Sequence, residues 1–594
     1  MRFFHALALF FTLTVPGRAD SPSSRLNALF DQAYDELLQR SPVELSRQGS
    51  RERNSEWDDV GEAEPRLRAQ ITRRWAEKAR QMAAGHRLDE ETRLSLKLFL
   101  ERADLEEKSL EFADYDYPIN QMYGWHSEVP AFLSNAHSLR CQADAVNYIR
   151  RLEALPTFFE QLGEGLRRRQ RRGILPPVFV FDYVVSDIDN LLVGFPLTAE
   201  SNPVHPVYAD FVAKLEDLQL AGPEEAALCQ RAQAALRNGF RPAYQNLRAL
   251  LLEQRAQAQS DDGCWKFPQG SRFYAHQLAL TTTTSLSAQE IHQLGLQEVK
   301  RIHAEMGAIV TKVGFAGSLK EFFEFLRSDP RFLYSNDEAG RAAYLAEVTA
   351  LVDRMRGQLD RLFLTKPKAA LQVKAVESYR EQSAGKAFYE APALDGSRPG
   401  IYYANLYDMS SMPKYQMEAL AYHEAIPGHH MQLSIAQELQ GLPKFRRLGG
   451  YTAYVEGWGL YCEQLPKEHG FYADPYSDFG RLSMELFRAV RLVVDTGIHE
   501  QRWTRAQALQ YYLDNTPNSR LDCQKMVDRH IVMPGQATAY KIGMLEILRL
   551  RSKAQKKLGD RFDLRRFHDV LLVHGAVPLR VLEELVDDYI RANR

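Results

Sequence analysis

Along most of the chain, apolar positions recur at intervals of three and four. Leu26, Leu29, Phe30, Ala33, Tyr34 and Leu37 show the period of a helix with one buried face. The same spacing covers roughly residues 89–113, 143–171, 223–257, 287–313 and 337–363, and predicts a mainly α protein. The helix after Leu286 starts with a capping box, in which Ser287 and Glu290 satisfy each other's backbone amides. Two segments depart from this period. Leu371-Gln-Val-Lys-Ala-Val-Glu-Ser378 alternates at every second residue, and Ile401-Tyr-Tyr-Ala-Asn-Leu406 is aromatic-rich behind a Pro399-Gly400 turn. Both read as strands of a small β-sheet.

At 594 residues the chain is too long for one small core, because domains run at roughly 100–200 residues. A turn-rich stretch at 261–270, followed by the threonine run at 281–284, marks a seam. It predicts an N-terminal helical lobe over 20–280 and a C-terminal helical lobe over 281–594, a two-lobed arrangement. Residues 3–15 form a mainly apolar run, interrupted by His5, behind Arg2 and give way to Pro16 and Ala19, the pattern of a secretory signal peptide over 1–19 with cleavage near Ala19. That apolar run is shorter than the roughly 20 residues a membrane-spanning helix needs. The expectation is a periplasmic or secreted protein with no membrane span in the mature chain.

Composition removes several classes. Apolar residues make up 45% and charged residues 26%, which excludes wholesale disorder. Lysine and arginine number 75 against 77 acidic residues, so a formal charge of -2 gives no reason to expect a nucleic-acid partner. The five cysteines, Cys141, Cys229, Cys264, Cys462 and Cys523, are scattered and include no CxxC pair. They predict mostly buried thiols in place of a zinc knuckle or a disulfide framework.

The densest polar cluster is Ala421-Tyr-His-Glu-Ala-Ile-Pro-Gly-His-His430, between a helix start at Ser411 and Pro413 and a stop at Gly441 and Pro443. Zinc-peptidase helices carry two histidines four apart, so that both imidazoles meet one metal beside a glutamate base. Here His423 and His429 are six apart, about 120° around a regular helix, and His430 is seven apart, about 10 Å along the axis. Neither pair can share an ion on an unbroken helix. Pro427 removes an amide and Gly428 widens the backbone choice, so a break there brings His429 to where an i+4 histidine sits, with His430 as the alternative.

Downstream, Tyr451-Thr-Ala-Tyr-Val-Glu-Gly-Trp-Gly-Leu-Tyr461 places Glu456 beside Gly457 and close to Gly459, small residues that let this helix approach the histidines. His423, His429 and Glu456 then form a two-histidine, one-carboxylate set with an open position, which is a catalytic arrangement for zinc. Iron and manganese accept the same set. Glu424 is the candidate base, with Tyr540 first and His530 second as donors to an oxyanion. Arg491, Asp495 and His499 share a helix face. Arg491 and His499 are candidates for a substrate carboxylate, and Asp495 and His430 for support behind the ligands. Tyr403 and Asn405 lie on a strand that could take an extended peptide along the sheet edge.

Four segments, Arg398-Pro-Gly-Ile-Tyr-Tyr-Ala-Asn-Leu-Tyr407, Tyr422-His-Glu-Ala-Ile-Pro-Gly-His-His-Met-Gln432, Glu456-Gly-Trp-Gly-Leu-Tyr461 and Met533-Pro-Gly-Gln-Ala-Thr-Ala-Tyr-Lys-Ile-Gly543, resemble the bacterial family catalogued as domain of unknown function 885. The resemblance extends to Phe567-His-Asp569 and Gly575-Ala-Val-Pro-Leu579. It implies a mostly helical zinc metallopeptidase, distantly similar to carboxypeptidase Taq and thimet-oligopeptidase-like enzymes, with the small sheet beside the active-site cleft. By motif it implies His423 and His429 as ligands, Glu424 as base and Glu456 as third ligand. Gly459 stands where alanine is expected, and His530 where tyrosine is expected. The leading expectation is an exported peptidase using one zinc ion and acting on peptides or oligopeptides. The alternatives are a peptide-binding protein with a non-catalytic metal and a metal-dependent hydrolase of esters or non-peptide amides.

Overall fold

A computed structural model describes residues 21–199, 202–377, 381, 385–393, 396 and 398–594. The expected signal peptide and its cleavage site near Ala19 lie outside the described residues, as does the end of the first predicted strand at Ser378.

Helices form where the apolar period predicts them. Residues 143–171 appear as α1, Gln142–Arg171, whose Tyr148, Ile149, Leu152 and Leu155 are fully buried. The stretch 223–257 is a near-continuous rod in which a π-helical turn, Leu236–Phe240, joins helices Gly222–Ala235 and Arg241–Arg255. Pro242, at the start of the second, has no amide to give the preceding turn. The capping box of Ser287 and Glu290 is formed at the head of α2, Ala288–Lys312. The predicted segment 337–363 becomes helix Glu338–Arg356 and a short turn, Leu359–Leu362.

The sheet has three strands, β1 Leu371–Ala375, β2 Ala387–Glu390 and β3 Gly400–Ala404, in the order β1-β3-β2. β3 is central and wholly buried, parallel to β1 and antiparallel to β2, with Tyr402 opposite Val373 on one side and Tyr389 on the other. Six helices follow and carry the site. They are α3 Lys414–Glu424, α4 His429–Glu438, α5 Thr452–Gln464, α6 Pro475–His499, α7 Arg520–Val532 and α8 Ala539–Leu558. α6 is buried along nearly all its length and packs on α2 and α3. α5 and α8 lie backbone to backbone, since a Cβ on Gly457 would fall 2.5 Å from the Gly543 Cα.

The expected seam at 281–284 marks the end of helix Gly270–Thr282, where Thr283 takes a left-handed φ of 55°. The main apolar core runs through this point, from Leu26 and Phe30 to Val586 and Ile590. All five cysteines are free thiols; Cys264, Cys462 and Cys523 are buried.

Candidate metal centre and cleft

α3 ends at Glu424 and α4 begins at His429, so the helix is broken at Pro427 and Gly428. The turn folds back on α3 so closely that a Cβ at position 428 would lie 1.9 Å from the His423 carbonyl oxygen; only glycine fits. The Trp458 indole on α5 donates to the Pro427 carbonyl at 2.9 Å and pins the turn. The break brings the His423 and His429 rings together at 4.7 Å between centroids and 86° between planes.

Glu456 on α5 completes the group. Its Oε2 lies 3.6 Å from His423 Nε2 and 3.5 Å from His429 Nε2. The three donor atoms all fall within 4.8 Å of one another. Donors held at about 2.0–2.1 Å on a tetrahedral ion lie about 3.4 Å apart, close to the two separations from Glu456, so this set fits one zinc ion. His430 points elsewhere. Its Nδ1 meets the Tyr389 hydroxyl at 3.0 Å, and burial lowers its pKa to about 4.

Two further features tune His423. Gly459, one turn along α5 from Glu456, leaves room for the ring, since a Cβ there would sit 2.8 Å from Cε1 and 2.9 Å from Nε2. Gly457 has the different task of meeting α8. Behind the ring, His423 Nδ1 bonds Glu463 Oε1 at 2.8 Å, which aims Nε2 at the centre of the group. Glu463 follows Glu456 by two helical turns, and the i+7 spacing was the signal available in the sequence.

The electrostatics favour a positive charge here. Burial pulls the His423 imidazole down, but Glu456 and Glu463 outweigh it and raise its pKa to about 10. Burial likewise pushes Glu456 up, and the two imidazoles overcome it to hold the carboxyl well below its usual range. The donor set and its charge therefore suit a cation.

The group lies in a cleft of about 1030 Å³, lined also by Glu424, β2, Arg488, Arg491, Arg529 and Tyr540. Glu424 is adjacent in sequence to His423 and is 8% exposed. Arg491 stacks on the Tyr540 ring at 4.6 Å, and Arg529 Nη2 donates to the Tyr540 hydroxyl at 3.3 Å. Arg529, Trp458 and Glu463 were not singled out by sequence reasoning. The neighbourhoods of Arg529 and Tyr540 depend on how α6, α7 and α8 meet.

Four expectations require correction. His530 is fully buried, with Nδ1 on Asp495 Oδ2 at 2.8 Å and Nε2 on the Tyr512 hydroxyl at 2.9 Å; both nitrogens are engaged, leaving none for an oxyanion. Asp495 does not reach the ligand imidazoles, because His530, the Tyr274 hydroxyl and the Gly535 amide occupy it. His499 is fully buried below the cleft, accepting from the Cys264 amide and donating to the His530 carbonyl, so it meets no substrate. Tyr403 and Asn405 belong to the central strand or its end, where both edges are taken. Tyr403 stacks on Phe388, and Asn405 Nδ2 donates to the Glu381 carbonyl at 2.7 Å. The strand that faces the cleft is β2, with Lys386, Ala387, Phe388 and Tyr389 among its lining.

A family model described as "Bacterial protein of unknown function (DUF885)" matches residues 42–586. The crystal structure of "the putative lipoprotein from Colwellia psychrerythraea" is 32% identical, covers 96% of this chain and 100% of its own, and superimposes with a TM-score of 0.88. A second structure, of "a putative lipoprotein of unknown function from Shewanella oneidensis", is 19% identical over 94% of this chain and 99% of its own, with a TM-score of 0.71, and shares the fold. No curated protein matches the chain.

Proposed function

The chain belongs to the DUF885 family of bacterial proteins, and from the geometry of its cleft we propose that it is an exported zinc-dependent peptidase acting on peptides or oligopeptides. The observation that carries this reading is the convergence of His423, His429 and Glu456 beside Glu424 in one cleft. Export is supported by the predicted leader and by the description of the two structural neighbours as lipoproteins. No helix among the described residues is long and apolar enough to cross a membrane.

His423, His429 and Glu456 would hold one zinc ion, which when bound supplies Lewis acidity and draws the pKa of a water toward neutrality. Glu424 takes the proton from the attacking water and returns it to the leaving amine. Glu463 keeps His423 in the tautomer that presents Nε2 to the ion. The Tyr540 hydroxyl accepts from Arg529, which leaves its own proton to donate to the developing oxyanion. Among the described residues β2 has no strand on its outer side, and it lines the cleft, so it can hold an extended peptide by backbone pairing.

Metal analysis of the purified protein beside His423→Ala and Glu424→Gln, with a peptide library read on all three, tests the reading. Expected are one zinc per chain in the parent and in Glu424→Gln, loss of the metal in His423→Ala, and cleavage by the parent alone. Zinc without cleavage of any peptide, or full cleavage by Glu424→Gln, would overturn it.

A further inference from the structure

The same cleft holds a buried positive charge that the hydrolytic machinery does not use. Arg491 is 5% exposed, yet its Nε and Nη1 have no hydrogen-bond partner and, among the described residues, it makes no ion pair. Its close neighbours are aromatic faces, Tyr540 at 4.6 Å and Phe487 at 5.3 Å. A buried guanidinium without a counter-charge is strongly disfavoured unless something else satisfies it.

Among the described residues nothing nearby does so. Arg488, one turn earlier on α6, leans on Glu463 at 3.5 Å and gives Nη1 to the Met484 carbonyl at 3.2 Å, leaving Nε unpartnered. Arg529 on α7 spends Nη2 on Gln536 and Tyr540 and also leaves Nε unpartnered. Of the acidic residues in the cleft wall, Glu456 faces the two histidines, Asp528 is paired with Arg505, and Glu424, Asp187 and Asp522 form no ion pair with Arg491. Burial, with the like charges of Arg488 and Arg529, lowers the Arg491 pKa to about 10.

Resting on the peptidase reading, we infer that Arg491, flanked by Arg488 and Arg529, is the binding site for a free carboxylate of the substrate, oriented against the Tyr540 ring. A guanidinium fork matches a carboxylate with two parallel bonds, and a desolvated pair of this kind is selective because the neutral analogue leaves the arginine unsatisfied. The carboxylate has two chemical sources, the C-terminus of a peptide or an acidic side chain within it.

The test is binding of short N-acetylated peptides to the zinc-loaded full-length protein by calorimetry, with cleavage of the same peptides read in parallel. Three related peptides are compared: a free C-terminal acid, its amide, and the amide with one residue replaced by glutamate. At least one carboxylate-bearing peptide is expected to bind tenfold to hundredfold more tightly than the neutral amide. Arg491→Gln should abolish that preference, and Arg491→Lys should restore part of it. Whether the acid or the glutamate peptide gains identifies the source. Equal binding of all three by the parent protein overturns the inference without using any variant. A preference that survives Arg491→Gln overturns it too, because the carboxylate would then be held by another group. Tight, Arg491-dependent binding without cleavage leaves the carboxylate site standing and sinks the peptidase reading, whereas cleavage without carboxylate preference does the reverse.

Discussion

At the scale of single residues, the candidate centre depends on atoms that are missing as much as on those present. The Gly459 hydrogen is what allows the His423 ring to stand against α5, and the ring is clamped from behind by Glu463. Gly459→Val is therefore expected to displace the imidazole, cut zinc affinity by about tenfold or more and cost about 1–3 kcal/mol of stability. Metal content after dialysis, read beside a urea unfolding curve, checks both; full zinc retention would mean that the ring position does not depend on this gap. Much of this was readable from the chain. The Pro427-Gly428 break, the pairing of His423 with His429 and the arrival of Glu456 all follow from spacing along one segment. Which of two adjacent histidines turns inward was not decidable by spacing. The structure separates them by sending His430 to Tyr389 on the sheet.

At the scale of elements, charges inside the helix bundle are arranged as a closed network. Lys541 on α8 is wholly buried between Glu485 of α6 and Glu298 of α2, at 2.5 and 2.9 Å, and Glu485 also meets Arg301 and Arg481. Removing one partner from such a network leaves a buried charge uncompensated, at about 3–5 kcal/mol. Lys541→Met should lower stability near the bottom of that range, because Arg301 and Arg481 remain with Glu485; the denaturant midpoint measures it, and an unchanged midpoint would show the network to be neutral. Element by element, helices were legible because burial on one face imposes a period. The sheet was less so. β2 is four residues long without alternating burial, too short to stand out, and β3 shows no alternation because neither face meets solvent. The order that puts β3 in the centre is a tertiary choice, so the edge available to a peptide could not be assigned to the right strand in advance.

For the molecule as a whole, buried neutral histidines set the acid limit of stability. Burial lowers His126 to about 4, His137 to about 3 and His568 to about 3. In the unfolded chain each titrates near the ordinary histidine value of about 6.5, so below that pH the unfolded state binds more protons. Stability is therefore fully present above pH 6.5 and falls as the pH drops toward 4. The slope approaches about 1.4 kcal/mol per pH unit for each such histidine once its unfolded form is charged. Unfolding midpoints between pH 7 and 4.5 test this. A flat profile would contradict it, and His568→Asn should make the fall shallower by one histidine's share. His126 and His137 are neighbours in the chain and His568 lies near its other end, and nothing local announced them; each imidazole is neutral because surrounding helices exclude water.

The backbone contact between α5 and α8 has one more consequence. Glu456 immediately precedes Gly457, and Tyr540 lies one turn before Gly543, the glycine it touches. A proposed metal ligand and the ring on which Arg491 rests are thus mounted on two rods welded at a point where no side chain intervenes. Such a joint acts as a gauge block: it fixes the span between Glu456 and the Tyr540 ring through main-chain contact. Substrates would be measured by length as well as by charge, and a chain one residue too long or too short would find no slack in the wall to absorb the difference.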